Sequence, residues 1–254
     1  MAAEDLKERY LDLIERSLMN EVYGESRLET LIRTAGVRLR HPWQTRGWSK
    51  TWPARAHTMI GRPRLRSLRT LVEATLEAGV PGDYIETGVW RGGACILMRA
   101  VLAAHGVTDR KVFVADSFEG LPKPDSARYP ADKGDKLFSF GELAVSEADV
   151  RRNFDAYGLL DDQVVFLKGF FKDTLPALNG HRFALIRLDG DMYESTMDAL
   201  TALYDGVASG GFVVIDDYGV LGSCRTAVHD FLGSRGLDPK IEPIDGVGVW
   251  WRKD

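Results

Sequence analysis

Two groups of carboxylates stand out because each follows an apolar run. Asp189-Gly190-Asp191 follows the run 183–188, and Asp216-Asp217 follows the run 211–215. Both runs have the composition of buried parallel strands, and neighbouring strands lie only about 5 Å apart. Crowded carboxylates repel one another and raise each other's pKa. A hard divalent cation, Mg²⁺ or a similar ion, would relieve this repulsion, so the acids predict a metal site. The alternative is that they are solvated loop and cap residues.

A second group of residues points to a nucleoside-bearing ligand. Residues 86–93 read E-T-G-V-W-R-G-G after a short apolar run, and Asp116 follows the next run. Glycines let a turn approach a ligand closely, and an acid one βα unit later suits two ribose hydroxyls. A tight turn and a helix N-cap would explain the same residues without a ligand. Together they favour a nucleoside cofactor without choosing between a dinucleotide and S-adenosylmethionine.

The segments around these residues alternate as in an α/β protein. Helical stretches separate five short apolar runs, at 84–87, 111–115, 164–167, 183–188 and 211–215. This alternation predicts a parallel sheet covered on both faces, with ligands at the carboxyl ends of its strands. The final stretch, 241–252, has two strand-like pieces around Asp245-Gly246 and no helix between them. It predicts a terminal hairpin with one antiparallel strand.

The N-terminal part of the chain has a different character. Helical spacing of apolar residues predicts helices at 4–19, near 26–36 and at 64–79. We therefore divide the chain into an N-terminal helical region with a lid, 1–82, and a sheet domain, 83–254.

Two Pro- and Gly-containing segments are predicted to lie outside the sheet. Residues 38–55 hold three tryptophans, and we expect a mobile lid in which Trp43 and Trp48 stack on the acceptor. The alternative is a basic loop that pairs with the acidic remainder of the chain. Residues 119–145 form a long insertion after the second strand.

Composition excludes several classes of protein. The chain has 254 residues, of which 44 % are hydrophobic and 28 % charged, as in globular proteins. No apolar run approaches the roughly 20 residues of a membrane span. Only two cysteines occur, so we expect no disulfide framework and a cytoplasmic location. The net charge of −4 argues against a nucleic-acid binder, although the ten Arg or Lys and no Asp or Glu in 30–72 keep that alternative open.

Several motifs together resemble the macrocin O-methyltransferase family. Besides the acids and the turn, they are A-H-T-M-I-G at 56–61, D-S-F at 116–118, Y-G-L-L-D-D at 157–162, G-F-F-K-D-T at 169–174 and C-R-T-A-V-H at 224–229. The resemblance covers residues 56–252. Members of this family are Mg²⁺- and S-adenosylmethionine-dependent enzymes that methylate sugar hydroxyls on antibiotics. The resemblance implies a Rossmann-like class I methyltransferase sheet of seven strands, the last one antiparallel.

The resemblance also implies roles for individual residues. Asp189, Asp216 and Asp217 would hold Mg²⁺, and Asp191 would be the general base, although Asp189 could exchange roles with it. The residues implied at the cofactor come from four segments: Thr58, Met59 and Ile60; Glu86, Thr87, Gly88, Val89 and Gly92; Asp116, Ser117 and Phe118; and Gly169, Phe170 and Phe171. Glu86, Gly88 and Asp116 would hold the amino-acid and ribose parts of the cofactor.

We therefore expect an O-methyltransferase that uses S-adenosylmethionine and Mg²⁺. Its acceptor would be a sugar hydroxyl of an antibiotic or similar glycosylated natural product, not a nucleic acid or a membrane. A homo-oligomer, dimer or higher, is expected mainly because the family forms them. The apolar stripe on helix 4–19 also needs a partner, which is either the sheet domain or another subunit. The alternatives are a metal-dependent O-methyltransferase of an aromatic diol and a non-methylating relative such as a cephalosporin hydroxylase-like protein.

Overall fold

The structure, a computed structural model, describes residues 3–24, 26–42 and 52–254. Its centre is a seven-stranded sheet with the order β3-β2-β1-β4-β5-β7-β6. The strands are β1 Asp83–Thr87, β2 Val112–Asp116, β3 Val164–Lys168, β4 Phe183–Leu188, β5 Val207–Ile215, β6 Glu242–Pro243 and β7 Val249–Arg252. β1 to β5 pair in parallel, whereas β7 runs antiparallel to both β5 and β6. The predicted α/β class, the seven strands and the terminal hairpin are confirmed.

The strand order places a crevice at the centre of the sheet. β1 lies between β2 and β4, so the chain leaves β1 towards one side and returns to it on the other. Such a switch point opens a binding crevice at the carboxyl ends of the strands. All six residues of β4 are buried, as a central strand covered on both faces requires.

Helices cover both faces of the sheet. They are α1 Ala3–Leu18, α2 Arg27–Arg40, α3 Gly61–Glu77, α4 Gly93–Ala104, α5 Glu147–Ala156, α6 Phe171–Thr174, α7 Tyr193–Leu203 and α8 Gly222–Ser234. Apolar residues of α1, α3, α4 and α5 share one core with one face of the sheet, and those of α7 and α8 share a second core with the other face. Among the described residues, none of the helices combines the length and the apolar character needed to cross a bilayer.

Two predicted boundaries are wrong. Helix α2 continues to Arg40, so Arg38 to Arg40 belong to a helix and not to the predicted loop. Basic residues suit the last turn of a helix, and the next strong stop signal in the sequence is Pro42. Strand β5 begins at Val207 and not at Gly211. Gly210, with a φ of +81°, and Gly211 lie at a register shift inside the strand.

The two segments predicted to lie outside the sheet meet in a small third core. Trp43 and Trp48 fall outside the described residues. Trp52, however, is 6 % exposed and packs with Val37 and Phe140, the latter from the insertion 119–145. We call this cluster, together with the half-buried Leu137 and Leu143, the roof. The insertion contains three 3₁₀ turns, Pro130–Asp132, Leu137–Ser139 and Gly141–Leu143.

Candidate active site

A cavity of about 820 Å³ lies at the carboxyl ends of the parallel strands. Each of β1 to β5 delivers residues to its wall through the loop that follows it. In the order of the strands across the sheet, the wall includes Phe170 after β3, Asp116 at the end of β2, Gly88 after β1, Asp189 after β4 and Asp217 after β5. The cavity therefore spans the switch point where the sequence placed the ligands.

Three of the predicted acids converge in this cavity. One carboxylate oxygen each from Asp189, Asp191 and Asp217 lies within 4.8 Å of the others, and we call these residues the acid cluster. Asp217 is buried, and its Oδ2 has no hydrogen-bond partner among the described residues. Burial first, and then the charges of Asp191 and Asp189, raise the pKa of Asp217 well above its ordinary value. Such a group of oxygen donors suits a hard divalent cation.

Asp216, the fourth predicted acid, is held by two arginines. Arg64 Nη1 donates to its Oδ2 at 2.5 Å, and Arg187 donates to its Oδ1. Asp216 is not part of the acid cluster, although it lines the same cavity. The structure thus brings together three of the four acids, and it pairs the fourth with protein cations.

Arg187 is a site residue that we did not single out from the sequence. It lies within β4, is 2 % exposed and donates hydrogen bonds to Glu86 and Asp189 as well as to Asp216. Burial disfavours its charge, but the surrounding carboxylates, Asp216 first, hold the pKa of Arg187 well above its ordinary value. A single arginine inside an otherwise apolar strand was the available signal, because a buried cation requires carboxylate partners.

The predicted cofactor residues divide between the cavity wall and the layer behind it. Seven of them line the cavity: Met59, Ile60, Gly88, Asp116, Ser117, Phe170 and Phe171. Thr58, Glu86, Thr87, Val89, Gly92, Phe118 and Gly169 are not among the lining residues. Phe118, for example, packs in the core with its ring centroid 6.1 Å from that of Phe166.

Asp116 lines the cavity and also organises its loops. Its Oδ2 accepts from the main-chain N–H of Val89 at 2.8 Å, and its Oδ1 accepts from that of Phe118 at 2.7 Å. Burial raises the pKa of Asp116, and these main-chain hydrogen bonds oppose the shift. The carboxylate therefore caps two turns while it faces the cavity, so the loop role and the ribose role are compatible.

The glycines of the turn after β1 are required by the protein itself. A side chain at Gly88 would collide with the carbonyl oxygen of Asp189, and a Cβ at Gly93 would lie 2.5 Å from the carbonyl oxygen of His57. At these close approaches, the turn after β1 is in direct contact with the loop after β4 and with the segment around His57. The glycines are thus explained by contacts within the protein. The evidence for a bound ligand is the size of the cavity and the residues that line it.

Glu86 lies beneath the cavity in a buried polar group. It accepts from Cys95 Sγ at 2.9 Å and from Arg187. Burial raises the pKa of Glu86 to about 7, against the opposing effect of Arg187. Glu86 therefore supports the floor of the site through Arg187.

Comparison with known proteins gives matches over nearly the whole chain. The sequence profile of the family described as macrocin-O-methyltransferase (TylF) matches residues 7–253. The chain is 50 % identical over 250 residues to the 8-demethyl-8-(2,3-dimethoxy-alpha-L-rhamnosyl)-tetracenomycin-C 4'-O-methyltransferase of Streptomyces olivaceus, with 98 % of this chain and 94 % of that protein covered. It is 46 % identical over 249 residues to the mycinamicin III 3''-O-methyltransferase of Micromonospora griseorubida, with 97 % and 96 % covered.

A solved structure shares the fold closely. The O-methyltransferase NovP superimposes with a TM-score of 0.86 at 45 % identity, and the match covers 97 % of this chain and 99 % of that one. The match thus takes in nearly the whole length of both chains. The chain therefore belongs to the macrocin O-methyltransferase family, and it is an O-methyltransferase.

Proposed function

We propose that this enzyme transfers the methyl group of S-adenosylmethionine to a sugar hydroxyl of a glycosylated natural product, with Mg²⁺ bound at the acidic side of the cavity. The observation that carries the proposal is a single cavity with two chemically different sides. Gly88, Asp116 and Phe170 line it at β1, β2 and β3, and the acid cluster lines it at β4 and β5. A methyl donor and an activated acceptor would then meet above β1 and β4.

The residues at β1 to β3 fit the nucleoside part of the cofactor. Asp116 presents a carboxylate whose orientation is fixed by two main-chain N–H groups, which suits it to accept from ribose hydroxyls. Ser117 lies beside it, and Phe170 offers an aromatic ring to a base. We propose that these residues, together with Met59 and Ile60 in the same cavity wall, enclose S-adenosylmethionine.

The acid cluster fits Mg²⁺. The buried Oδ2 of Asp217, which has no hydrogen-bond partner in the part of the chain that the structure describes, is a donor that a cation would satisfy. We propose that Asp189, Asp216 and Asp217 would hold the ion, although Asp216 is also paired with Arg64 and Arg187. Arg187, which bonds both Asp189 and Asp216, would keep these carboxylates oriented.

The reaction requires a donor, an acceptor and a base. When bound, S-adenosylmethionine supplies a methyl group on a sulfonium, and Mg²⁺ supplies Lewis acidity at the acceptor hydroxyl. With both bound, the acceptor oxygen would bond to the methyl carbon as the carbon–sulfur bond breaks, which would leave S-adenosylhomocysteine. The hydroxyl proton passes to a carboxylate oxygen of Asp191, and Asp189 is the alternative base. Asp191 is held in the left-handed backbone region, with a φ of 58°, which places its carboxylate in the acid cluster.

A glycoside is the acceptor class that the rest of the cavity favours. The roof contributes Trp52, Leu137 and Leu143 to the wall, and Trp90 lies beside them. Aromatic and apolar side chains suit a sugar ring or an apolar aglycone. The names of the two relatives describe methylation at sugar positions of a tetracenomycin and of a mycinamicin. Trp52 from residues 1–82 and Leu137, Leu143 and Trp90 from residues 83–254 would thus recognise the acceptor together, and residues 83–254 would also supply the acid cluster.

A methyl-transfer assay tests this proposal. The protein is incubated with S-adenosylmethionine and a panel of rhamnosylated tetracenomycins, macrolide glycosides and catechols, and products are identified by mass spectrometry. We expect methylation of a glycoside that stops in EDTA and returns with Mg²⁺. Methylation of catechols alone would instead support the aromatic diol alternative. Undiminished activity in EDTA would exclude the metal.

We also propose that the enzyme is a homo-oligomer that works in the cytoplasm. On α2, Leu28, Leu31, Ile32 and Leu39 are exposed at spacings that place them on one helical face. In α1, by contrast, Leu11, Ile14 and Leu18 are buried against the sheet domain. Among the described residues, nothing covers this face of α2, so it replaces α1 as the surface for a second copy. The two cysteines are free and buried, as a reducing compartment allows.

A further inference from the structure

Trp90 and Arg91, in the turn after β1, donate hydrogen bonds to the two chain segments that supply the roof, one near Trp52 and one near Phe140. Trp90 Nε1–H donates to the main-chain carbonyl of Glu142 at 3.0 Å. Arg91 Nη1 donates to the carbonyls of Ala54 at 3.2 Å and Ala56 at 2.7 Å. The guanidinium of Arg91 also lies 4.2 Å from the ring centroid of Trp90, so the two side chains support each other. One turn thus contacts the segment after Trp52 and the segment around Phe140.

The two segments behave as one unit because they share a core. The ring of Phe140 is stacked on His41, with centroids 3.9 Å apart, and lies nearly parallel to Trp52 with centroids 6.2 Å apart. The main-chain N–H of Trp52 also donates to Thr34 Oγ1 in α2. Glu142 forms an ion pair with Arg40. The roof is therefore a small packed body, separate from the two cores of the sheet.

The turn itself has an unusual conformation. Trp90 has a φ of 47°, in the left-handed region that bulky residues rarely adopt, and it follows Gly88, whose φ is 81°. Such a conformation persists only where the surrounding contacts determine it. Here those contacts are the roof above and the cavity, which Gly88 and Trp90 both line. A ligand bound against this turn would fix Trp90 and Arg91, whose side chains hold the two segments of the roof.

We propose that Trp90 and Arg91 are positioning residues that tie the roof to the cofactor turn, so that cofactor binding orders the acceptor side of the cavity. The inference rests on the proposed use of S-adenosylmethionine. The new element is that Trp90 and Arg91 complete the acceptor site by donating to the main-chain carbonyls of Ala54, Ala56 and Glu142. Coupling between two ligand sites requires such an element, whose arrangement both ligands favour.

Hydrogen exchange of the whole protein tests this inference without an acceptor. Exchange is measured by mass spectrometry for peptides covering 52–57 and 137–143, with and without saturating S-adenosylhomocysteine, and calorimetry establishes saturation for each variant. The variants are Trp90→Phe, which removes the indole N–H but keeps a ring, and Arg91→Lys. Trp250→Phe is the matched control, since Trp250 contacts Phe212 edge to face in the sheet, away from the roof.

In the wild type and in Trp250→Phe, we expect S-adenosylhomocysteine to slow exchange in both peptides. Trp90→Phe should exchange about fivefold faster in 137–143 without ligand, as expected for one lost hydrogen bond, and should lose the ligand-dependent protection there. Arg91→Lys should show the same loss in 52–57. If the wild type binds S-adenosylhomocysteine with no change in either peptide, or if both variants retain the change, the inference is wrong and the proposed function stands. If the wild type does not bind S-adenosylhomocysteine, the proposed cofactor is wrong as well.

Discussion

At the scale of single residues, the buried carboxylate of Asp217 lowers the stability of the metal-free fold, and a bound cation would relieve this. Its carboxylate is buried beside Asp189 and Asp191, and its Oδ2 has no hydrogen-bond partner among the described residues. Its raised pKa means that, without metal, the folded protein binds a proton at pH values where the unfolded chain has released it. Stability therefore falls as the pH rises above the ordinary Asp value.

We predict that Asp217→Asn makes the metal-free protein more stable while it abolishes turnover. The amide is neutral at every pH and needs no bound proton, so the gain should be about 1–3 kcal/mol, and it should widen as the pH rises. Thermal unfolding in EDTA measures the gain, and the exposed Asp162→Asn is the control. Added Mg²⁺ should raise the melting temperature of the wild type but not that of Asp217→Asn. A less stable Asp217→Asn protein in EDTA would show that the carboxylate has a protein partner instead.

Asp116 gives a second prediction at this scale. Asp116→Asn should weaken S-adenosylhomocysteine binding at least about tenfold, since hydrogen bonds to a carboxylate contribute about 1.5–3 kcal/mol. It should also lower the melting temperature, because an amide nitrogen cannot accept from the main-chain N–H groups of Val89 and Phe118. Calorimetry measures the binding, with Mg²⁺ affinity as the internal control. A lower melting temperature with unchanged binding would assign Asp116 to the loops alone.

The predictable and unpredictable parts of the site differ in their physical origin. Asp189 and Asp217 follow neighbouring parallel strands, so their proximity could be predicted from two apolar runs. The pairing of Asp216 with Arg64 could not, because it depends on how α3 packs against the sheet, 152 residues away in sequence. Short apolar segments in the sequence do not show how α3 packs against the sheet.

At the scale of elements, the basic stretch 30–72 is largely matched by acids of the same chain. Arg62 pairs with Glu21, Arg66 with Asp12 and Glu15, and Arg69 with Glu8. Arg55 pairs with Glu29 within the N-terminal region. The stretch therefore joins α3 and the segment before it to α1 and α2, which removes the main support for the nucleic-acid alternative.

The roof gives a prediction about local stability. Phe140→Ala should open the roof without unfolding the sheet, because Phe140 packs in a core of its own. We expect faster proteolysis near 137–143 and a raised acceptor KM, but little change in the global melting temperature. Phe154→Ala, equally buried but in a core of the sheet, should instead cost about 3–5 kcal/mol of global stability. Equal losses in the two variants would mean that roof and sheet unfold together.

Elements were predictable where one local signal dominates. Short apolar runs located the five parallel strands, and the Asp245-Gly246 turn located the hairpin. The end of α2 was predicted four residues too early, although the basic Arg38 and Arg40 suit its last turn and Pro42 is the next strong stop signal. The roof was missed because Trp52 and Phe140 are distant in sequence, and tryptophans among Pro and Gly resemble a solvated lid.

At the scale of the whole molecule, the exposed face of α2 predicts assembly. Substituting Leu31 and Ile32 by Glu should convert an oligomer to a monomer, since charges on an apolar interface oppose its burial. Light scattering coupled to size exclusion measures the mass. Leu160→Glu, at an isolated exposed leucine outside α2, is the control and should leave the mass unchanged. A monomeric wild type at micromolar concentration would contradict the proposed assembly.

The central claim is that one cavity holds the methyl donor and the metal side by side. Its most direct test is the NMR signal of S-adenosylmethionine carrying a ¹³C-labelled methyl group, bound to the protein with Mn²⁺ in place of Mg²⁺. Paramagnetic broadening reports whether the methyl group lies close to the metal. We predict strong broadening in the wild type and a sharp signal in Asp217→Asn, which keeps the cofactor residues but loses a metal ligand. A sharp methyl signal in the wild type, with both Mn²⁺ and cofactor shown to be bound, would contradict the claim.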